Sequence, residues 1–327
     1  MSAVDEKTGT FASRPVTSSD LLQWAVINNA TKKEDAPHQA NPVKHEPIDP
    51  KWVDVILGKS DSVRMKECVE ILQDKTKGLD EKLAAFDELE MLVESLDNAN
   101  DMRNLGLWKP ILTILKEDPE AEMRAFAAWV LGTCVQNNPP AQKDFLAADG
   151  LPILLDALSK DKDSEVVAKC MTCLSGLVRQ NPSVYDQLAI VAGDGSKMGL
   201  KPVLNILTKS ATATLLKAQK RAVFFFDGLI GGTSGEEDVV VAKAVEDAQA
   251  QDWATQIGGL LDSNSSVDKD LFEKCMSLLV HLADKKAISS VTLKALKNTV
   301  PALTKQFGEG EEELDAELAA AFKRVFV

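Results

Sequence analysis

Between Phe126 and Leu158 the chain reads FAAWVLGTCVQNNPPAQKDFLAADGLPILLDAL, an apolar helical run, a polar turn containing Asn, and a Gly-Leu step into a second apolar run. The same statement precedes it in FDELEMLVESLDNANDMRNLGLWKPILTIL (Phe86 to Leu115) and follows it in CMTCLSGLVRQNPSVYDQLAIVAGDGSKMGLKPVLNIL (Cys170 to Leu207). The Gly-Leu steps fall at Gly106-Leu107, Gly150-Leu151 and Gly199-Leu200, 44 and then 49 residues apart. In the central copy Met123, Phe126, Ala127, Val130, Leu131, Cys134 and Val135 recur at the spacing of one helix face. Asp118-Pro119-Glu120 before them predicts an N-cap, a proline in the first helical position and an acid in the first turn.

A period in this range belongs to helical solenoids of the armadillo or HEAT kind. The expected fold class is therefore all-α, an armadillo-type solenoid with helical caps. Only 5% of residues are aromatic, with a single Tyr, and strand-type alternation is absent, as expected of helices packed through Leu, Ala, Val and Ile. A first repeat helix is predicted over Asp80 to Leu96, with Leu83, Phe86, Leu89, Leu92, Val93 and Leu96 on one face. The third repeat is expected over Ser164 to Ser210 and the fourth over Leu215 to Asp262. A fifth starts at Ser265, whose spacing to Asp268 suggests a capping box. Stacked repeats bury their apolar faces on one another, and their long helices line a concave wall suited to a protein or peptide.

Outside the repeats, residues 1–17 read as a disordered leader. Residues 18–48 carry the short helical stretch LLQWAVINNA (Leu21 to Ala30), followed by proline-rich sequence from Ala36 to Pro50. The repeat domain is placed at 49–327, with caps at about 49–78 and 309–327 and an acidic hinge at Glu309 to Glu313. A formal net charge of −13 opposes nucleic acid and anionic membranes as partners. No apolar stretch approaches the roughly 20 residues of a membrane span, and no signal or transit pattern opens the chain. A cytoplasmic monomer is the expectation, with the five cysteines reduced and packed.

Catalysis, metal binding and cofactor binding find no support. His38 and His45 lie in the proline-rich stretch, and His281 edges a helical apolar face. Cys170-Met-Thr-Cys173 has redox spacing, but it falls inside a helix starting near Ser164 rather than at its N-terminus, so it reads as core. Gly193-Asp-Gly195-Ser-Lys-Met-Gly199 lacks the strand and the G-K-[ST] ending of a phosphate loop. Asn98, Asn100, Asn137, Asn138 and Asn181 recur where long helices stop, and two readings stand: left-handed C-capping, or side chains bonding a partner in the groove. Lys217, Lys220 and Arg221 form a basic cluster before Phe224-Phe225-Phe226, either a solvated face or an anchor for an acidic surface. Only Trp129 sits mid-helix in a repeat and Thr133 follows it, which argues against the Trp-and-Asn ladder of nuclear-import adaptors.

Four stretches carry a family resemblance: LLQWAVINNA, DPKWVDVILG (Asp49 to Gly58), LEMLVESLDNANDMRNLGLW (Leu89 to Trp108) and LGTCVQNN (Leu131 to Asn138). They resemble the Fes-type and heat-shock-binding-protein-type nucleotide exchange factors for DnaK-type, seventy-kilodalton heat-shock chaperones. The resemblance implies an armadillo-like clamp that is not an enzyme and that releases ADP from the chaperone's nucleotide-binding domain. It implies partner contacts at Asn98, Ala99, Asn100 and Arg221, with Ala99 a site of close backbone approach; Asn138 from the Asn turns and Lys220 from the basic cluster join them as candidate contacts. It further implies that the segment bearing Leu21, Leu22, Trp24 and Ile27 competes for the chaperone's substrate groove. The rival reading is a general armadillo scaffold without effect on nucleotide.

Overall fold

A computed structural model describes residues 58–179, 181–188, 199–208, 215–231, 239–262, 267–297 and 315–326. The leader, the Leu21–Ala30 segment, the proline-rich stretch, Gly193–Met198, Ser265 and Glu309–Glu313 lie outside the described residues. Chain contacts divide the molecule into Met1–Ser60 and Asp61–Val327, and every helix below belongs to the second unit.

Helix α1 (Asp61–Gln73) packs on α2 (Leu79–Val93), and from α2 onward the helices come in threes, each opened by its longest member. The first triad is α2, α3 (Leu96–Asp101) and α4 (Trp108–Glu117); the second is α5 (Ala121–Val135), α6 (Pro139–Ala147) and α7 (Gly150–Lys160). The third is α8 (Ser164–Val178), α9 (Pro182–Leu188) and α10 (Lys201–Thr208); the fourth is α11 (Leu216–Ile230), α12 (Val239–Ala250) and α13 (Trp253–Asp262). Helix α14 (Lys269–Asp284) opens a fifth, residues 290–297 are helical, and α15 (Ala316–Phe326) lies against α14. The long helices α2, α5, α8, α11 and α14 each pack on the next, and α4, α7, α10 and α13 form a second row. The described residues thus have the expected all-helical, repeat-built architecture.

The central helix α5 is buried on both flanks, with Phe126, Trp129 and Thr133 left half-exposed between them. Met123, Ala127, Val130, Leu131 and Cys134 are inaccessible, and so are Ala125, Ala128 and Gly132 on other faces, because α2 and α8 cover it from two sides. The Gly-Leu steps use glycine for two different reasons. Gly106 has φ +71°, a left-handed turn that a side chain would strain. At Gly150 a Cβ would fall 2.5 Å from the Phe145 ring, and at Gly199 2.8 Å from the Leu188 Cα, so these glycines permit close packing instead. In the second repeat the left-handed residue is Asp149, at φ 58°. Each following leucine, Leu107, Leu151 and Leu200, enters the core.

Several local expectations shift. The first long helix stops at Val93, and Leu96 begins α3 with 59% of its surface exposed, because the break at Glu94-Ser95 turns it off the buried face. Asp118 accepts the Glu120 N–H at 2.9 Å and so closes a turn; α5 starts at Ala121, not at Pro119. Asp268 caps α14, accepting the Leu271 N–H at 2.9 Å. The start at Ser164 holds, with Asp163 accepting the N–H groups of Glu165 and Val166.

Candidate groove on the long-helix wall

The shared face of α5, α8 and α11 is hollowed by three adjoining cavities of about 370, 260 and 290 Å³. Trp129 and Lys169 line the first two; Gln136, Thr172 and Arg221 line the last two, so the three form one groove across the second, third and fourth repeats. Its walls come from helix positions left over after both flanks of each long helix are buried. On α5 the half-exposed rings of Phe126 and Trp129 stand one turn apart, with centroids 5.5 Å from each other. Phe126 also stacks on Phe86 of α2 at 5.8 Å, which ties the rings to the first repeat.

The Lys169 ammonium sits 3.4 Å from the centre of the Trp129 ring, a cation–π contact across the α5–α8 junction. Its pKa is lowered below the ordinary lysine value, first by burial and then by the positive charges of Lys217 and Arg221. Thr133 donates to Glu90 at 2.8 Å, so the residue below Trp129 joins α2 to α5.

The predicted contact residues do not converge on this groove. Ala99 is 1% exposed, inside α3 against α1, α2, α5 and α6, so its side chain is part of the core of the free chain. The stretch expected to be an open turn is a short helix, and a helix turns its small residue inward. Asn138 is 3% exposed and caps α6, its Oδ1 facing the Ala141 N–H at 3.5 Å. Asn98 donates to Asp61 at 3.0 Å and to the Leu92 carbonyl at 2.8 Å, bracing α3 on α1 and α2. Asn100 is half-buried, its Oδ1 without a hydrogen-bond partner among the described residues.

Of the other asparagines, Asn137 takes the left-handed conformation, φ 51°, just past α5 and also lines the groove, so both readings of the Asn turns meet there. Asn181 donates to Gln142 at 2.9 Å, while Gln142 donates to the carbonyls of Val135 and Gly176, a polar clasp between α6 and the ends of α5 and α8.

The basic cluster divides. Lys217 pairs with Glu165, and Lys220 pairs with Asp268 at 2.6 Å and Asp270 at 3.0 Å, bracing α11 on α8 and α14. Arg221 is exposed in the groove and has no ion pair among the described residues. Sequence reasoning missed Arg179 and singled out Phe224 only as part of a run. Both line the groove, and Phe224 is 44% exposed while Phe225 and Phe226 are buried.

A larger hollow of about 630 Å³ between α4 and α7 has a structural explanation. Arg124 donates to both oxygens of Asp161, at 2.7 and 3.1 Å, and to the carbonyls of Asp118 and Pro119. Burial alone would raise the Asp161 pKa, but Arg124 and backbone N–H groups outweigh it and hold the carboxyl below its ordinary value. Cys134, Cys170, Cys173 and Cys275 are inaccessible, and burial drives their thiols well above the usual range, as expected of core cysteines. His281 accepts its place beside Asp227, 2.7 Å away, in a bridge between α14 and α11. Among the described residues no three His, Cys, Asp or Glu side chains gather to hold a metal, and no helix is long and apolar enough to cross a membrane.

Comparison with known proteins agrees with this architecture. Residues 19–102 match the family model "Nucleotide exchange factor Fes1", and residues 98–324 match "SIL1/FES1/HPBP1 C-terminal domain". The protein named "Hsp70 nucleotide exchange factor fes1" in Schizosaccharomyces pombe is 31% identical over 261 residues, covering 80% of this chain and 85% of the relative. The "Hsp70 nucleotide exchange factor FES1" of Kluyveromyces lactis is 34% identical over 207 residues, covering 62% of this chain and 67% of its own. Among solved structures, a designed armadillo repeat protein superposes with a TM-score of 0.55 at 14% identity, over 80% of this chain and all of that one, a likeness of fold alone. The chain belongs to the Fes1 family of nucleotide exchange factors, co-chaperones built on an armadillo-like solenoid.

Proposed function

We propose that this protein binds the nucleotide-binding domain of a DnaK-type, seventy-kilodalton heat-shock chaperone through the α5–α8–α11 groove and promotes release of ADP. The observation that carries the reading is the groove itself, with exposed Arg221 and Phe224 and half-exposed Trp129 on a wall of helices, in a chain whose relatives are named Hsp70 exchange factors. Exchange needs no catalytic residue. The protein must bind an opened nucleotide-binding domain better than the closed, ADP-held one, since equal binding of both shifts nothing. Weakening ADP affinity 100-fold requires a preference of about 2.7 kcal/mol, and linkage makes ADP weaken this protein's own binding by the same factor.

In this reading residues 1–17 are a leader, 18–48 an effector segment and 49–327 the clamp, acting as a cytoplasmic monomer. Leu21, Leu22, Trp24 and Ile27 compete for the chaperone's substrate groove, to which a short apolar segment is chemically suited. The test is release of a fluorescent ADP analogue from such a chaperone with and without this chain. An unchanged rate overturns the reading. A scaffold without exchange activity would bind its partner equally with and without ATP, whereas an exchange factor dissociates when ATP is added.

A further inference from the structure

We propose that Arg179 and Arg221, together with Phe224, form a subsite at the α8–α11 end of the groove that receives a carboxylate-bearing, acidic segment of the partner. This deepens the exchange-factor reading and rests on it. Among the described arginines, Arg64, Arg103, Arg124 and Arg324 each hold a carboxylate of this chain. Arg179 and Arg221 hold none, yet both line one cavity of about 290 Å³. In a chain of net charge −13, two guanidinium groups left without an acid in one hollow are the exception.

Their placement follows from local structure. Arg221, Phe224 and Gly228 make a stripe along α11, and Arg179 reaches over from the end of α8. Its Nη2 lies 3.7 Å from where a Cβ at Gly228 would be, ordinary contact distance, so the guanidinium lies against α11. Around Arg221 the charge is already crowded: Lys169 is near enough to feel both Arg221 and Lys217 electrostatically. Lys217 and Lys220 are neutralised by Glu165, Asp268 and Asp270 from within the chain, while Arg221 is left for an anion from outside. A guanidinium pair presents flat donor edges that match carboxylate oxygens two at a time. Phe224, 44% exposed beside them, offers an apolar surface for the neighbouring side chain, and arginine with an aromatic ring is the composition of an interface anchor.

The experiment uses the full chain and an unphosphorylated, bacterially produced nucleotide-binding domain of the chaperone, with affinity measured by calorimetry between low and moderate salt. Arg179→Gln and Arg221→Gln each weaken binding about tenfold or more, the usual scale for a charge-assisted bond, and each flattens the salt dependence. Phe224→Ala weakens binding without changing the salt dependence. In Arg221→Lys, a zero-length carbodiimide joins the new amine to an Asp or Glu of the partner, identified by mass spectrometry. Unaltered melting of each variant by circular dichroism separates these effects from misfolding. Wild-type binding with unchanged affinity in both glutamine variants overturns the subsite while the exchange-factor reading stands. Binding that appears only with a phosphorylated partner overturns the carboxylate assignment. Absence of wild-type binding overturns the subsite and the exchange-factor reading together.

Discussion

Replacing Ala99 by Arg tests whether the first repeat's turn is a contact or a piece of core. Ala99 is 1% exposed within the six-residue helix α3, its N–H bonded to the Ser95 carbonyl at 2.9 Å and inaccessible Met102 one turn away. Overpacking a filled site costs about 1–3 kcal/mol, and carrying a cation through it adds to that unless the side chain escapes to water. Escape is partly open, because Leu96 on the same short helix is well exposed. A loss of about 3–4 kcal/mol is therefore expected for Ala99→Arg, roughly 6–15 °C in melting temperature for a unit of this size. Arg221→Ala, at an exposed position without an ion pair, should melt within about 1 °C of the parent, as surface changes usually do. The assay is a circular-dichroism melt run beside chaperone binding. If Ala99→Arg melts like the parent and still loses binding, Ala99 is a contact after all and the assignment of α3 to the core is wrong.

Cutting the buried pair by Arg124→Ala should destabilise the fold by about 3–5 kcal/mol, since Asp161 is left charged with 8% of its side chain exposed; chemical denaturation measures it. The hydrogen bond His281 donates to Asp227, then the charge of that carboxylate, raises the His281 pKa above 6.5. A raised folded-state pKa contributes stability that is complete below pH 6.5 and lost as pH climbs through the folded value. With 39% of the His281 side chain exposed, solvent screening limits the contribution to less than about 1 kcal/mol; melts across pH 5.5–8.5 should show this decline, and His281→Gln should abolish it. A water-soluble thiol reagent should leave Cys134, Cys170, Cys173 and Cys275 unmodified in the native protein and react with them after denaturation; Cys68, whose pKa burial pushes up to about 11, should also react slowly. Fast native labelling of Cys170 and Cys173 would overturn their place in the core.

The sequence by itself determined the helices and their repetition. An apolar side chain every three or four residues must lie on one helix face, so Met123 to Val135 was legible as a buried helix. Repetition of that unit with a Gly-Leu step implied stacking, because a single repeat has nothing to bury its face against. The cysteines were legible for the same reason: Cys170 and Cys173 stand in the apolar register of α8. Tertiary structure alone decided which polar residues are still available to a partner. Lys220 and Arg221 are neighbours in sequence, but Asp268 and Asp270 arrive from α14 and take the lysine while nothing takes the arginine. Arg179 reads locally as an ordinary basic residue at a helix end, and only the packing of α11 on α8 places it in the groove. Ala99 and Asn138 looked like turn residues because their burial depends on helices from neighbouring repeats, about forty residues away in a period of this kind. Periodicity is a property of one helix and is written along it. Availability depends on what other helices bring to the same place, and that is decided only when the repeats are stacked.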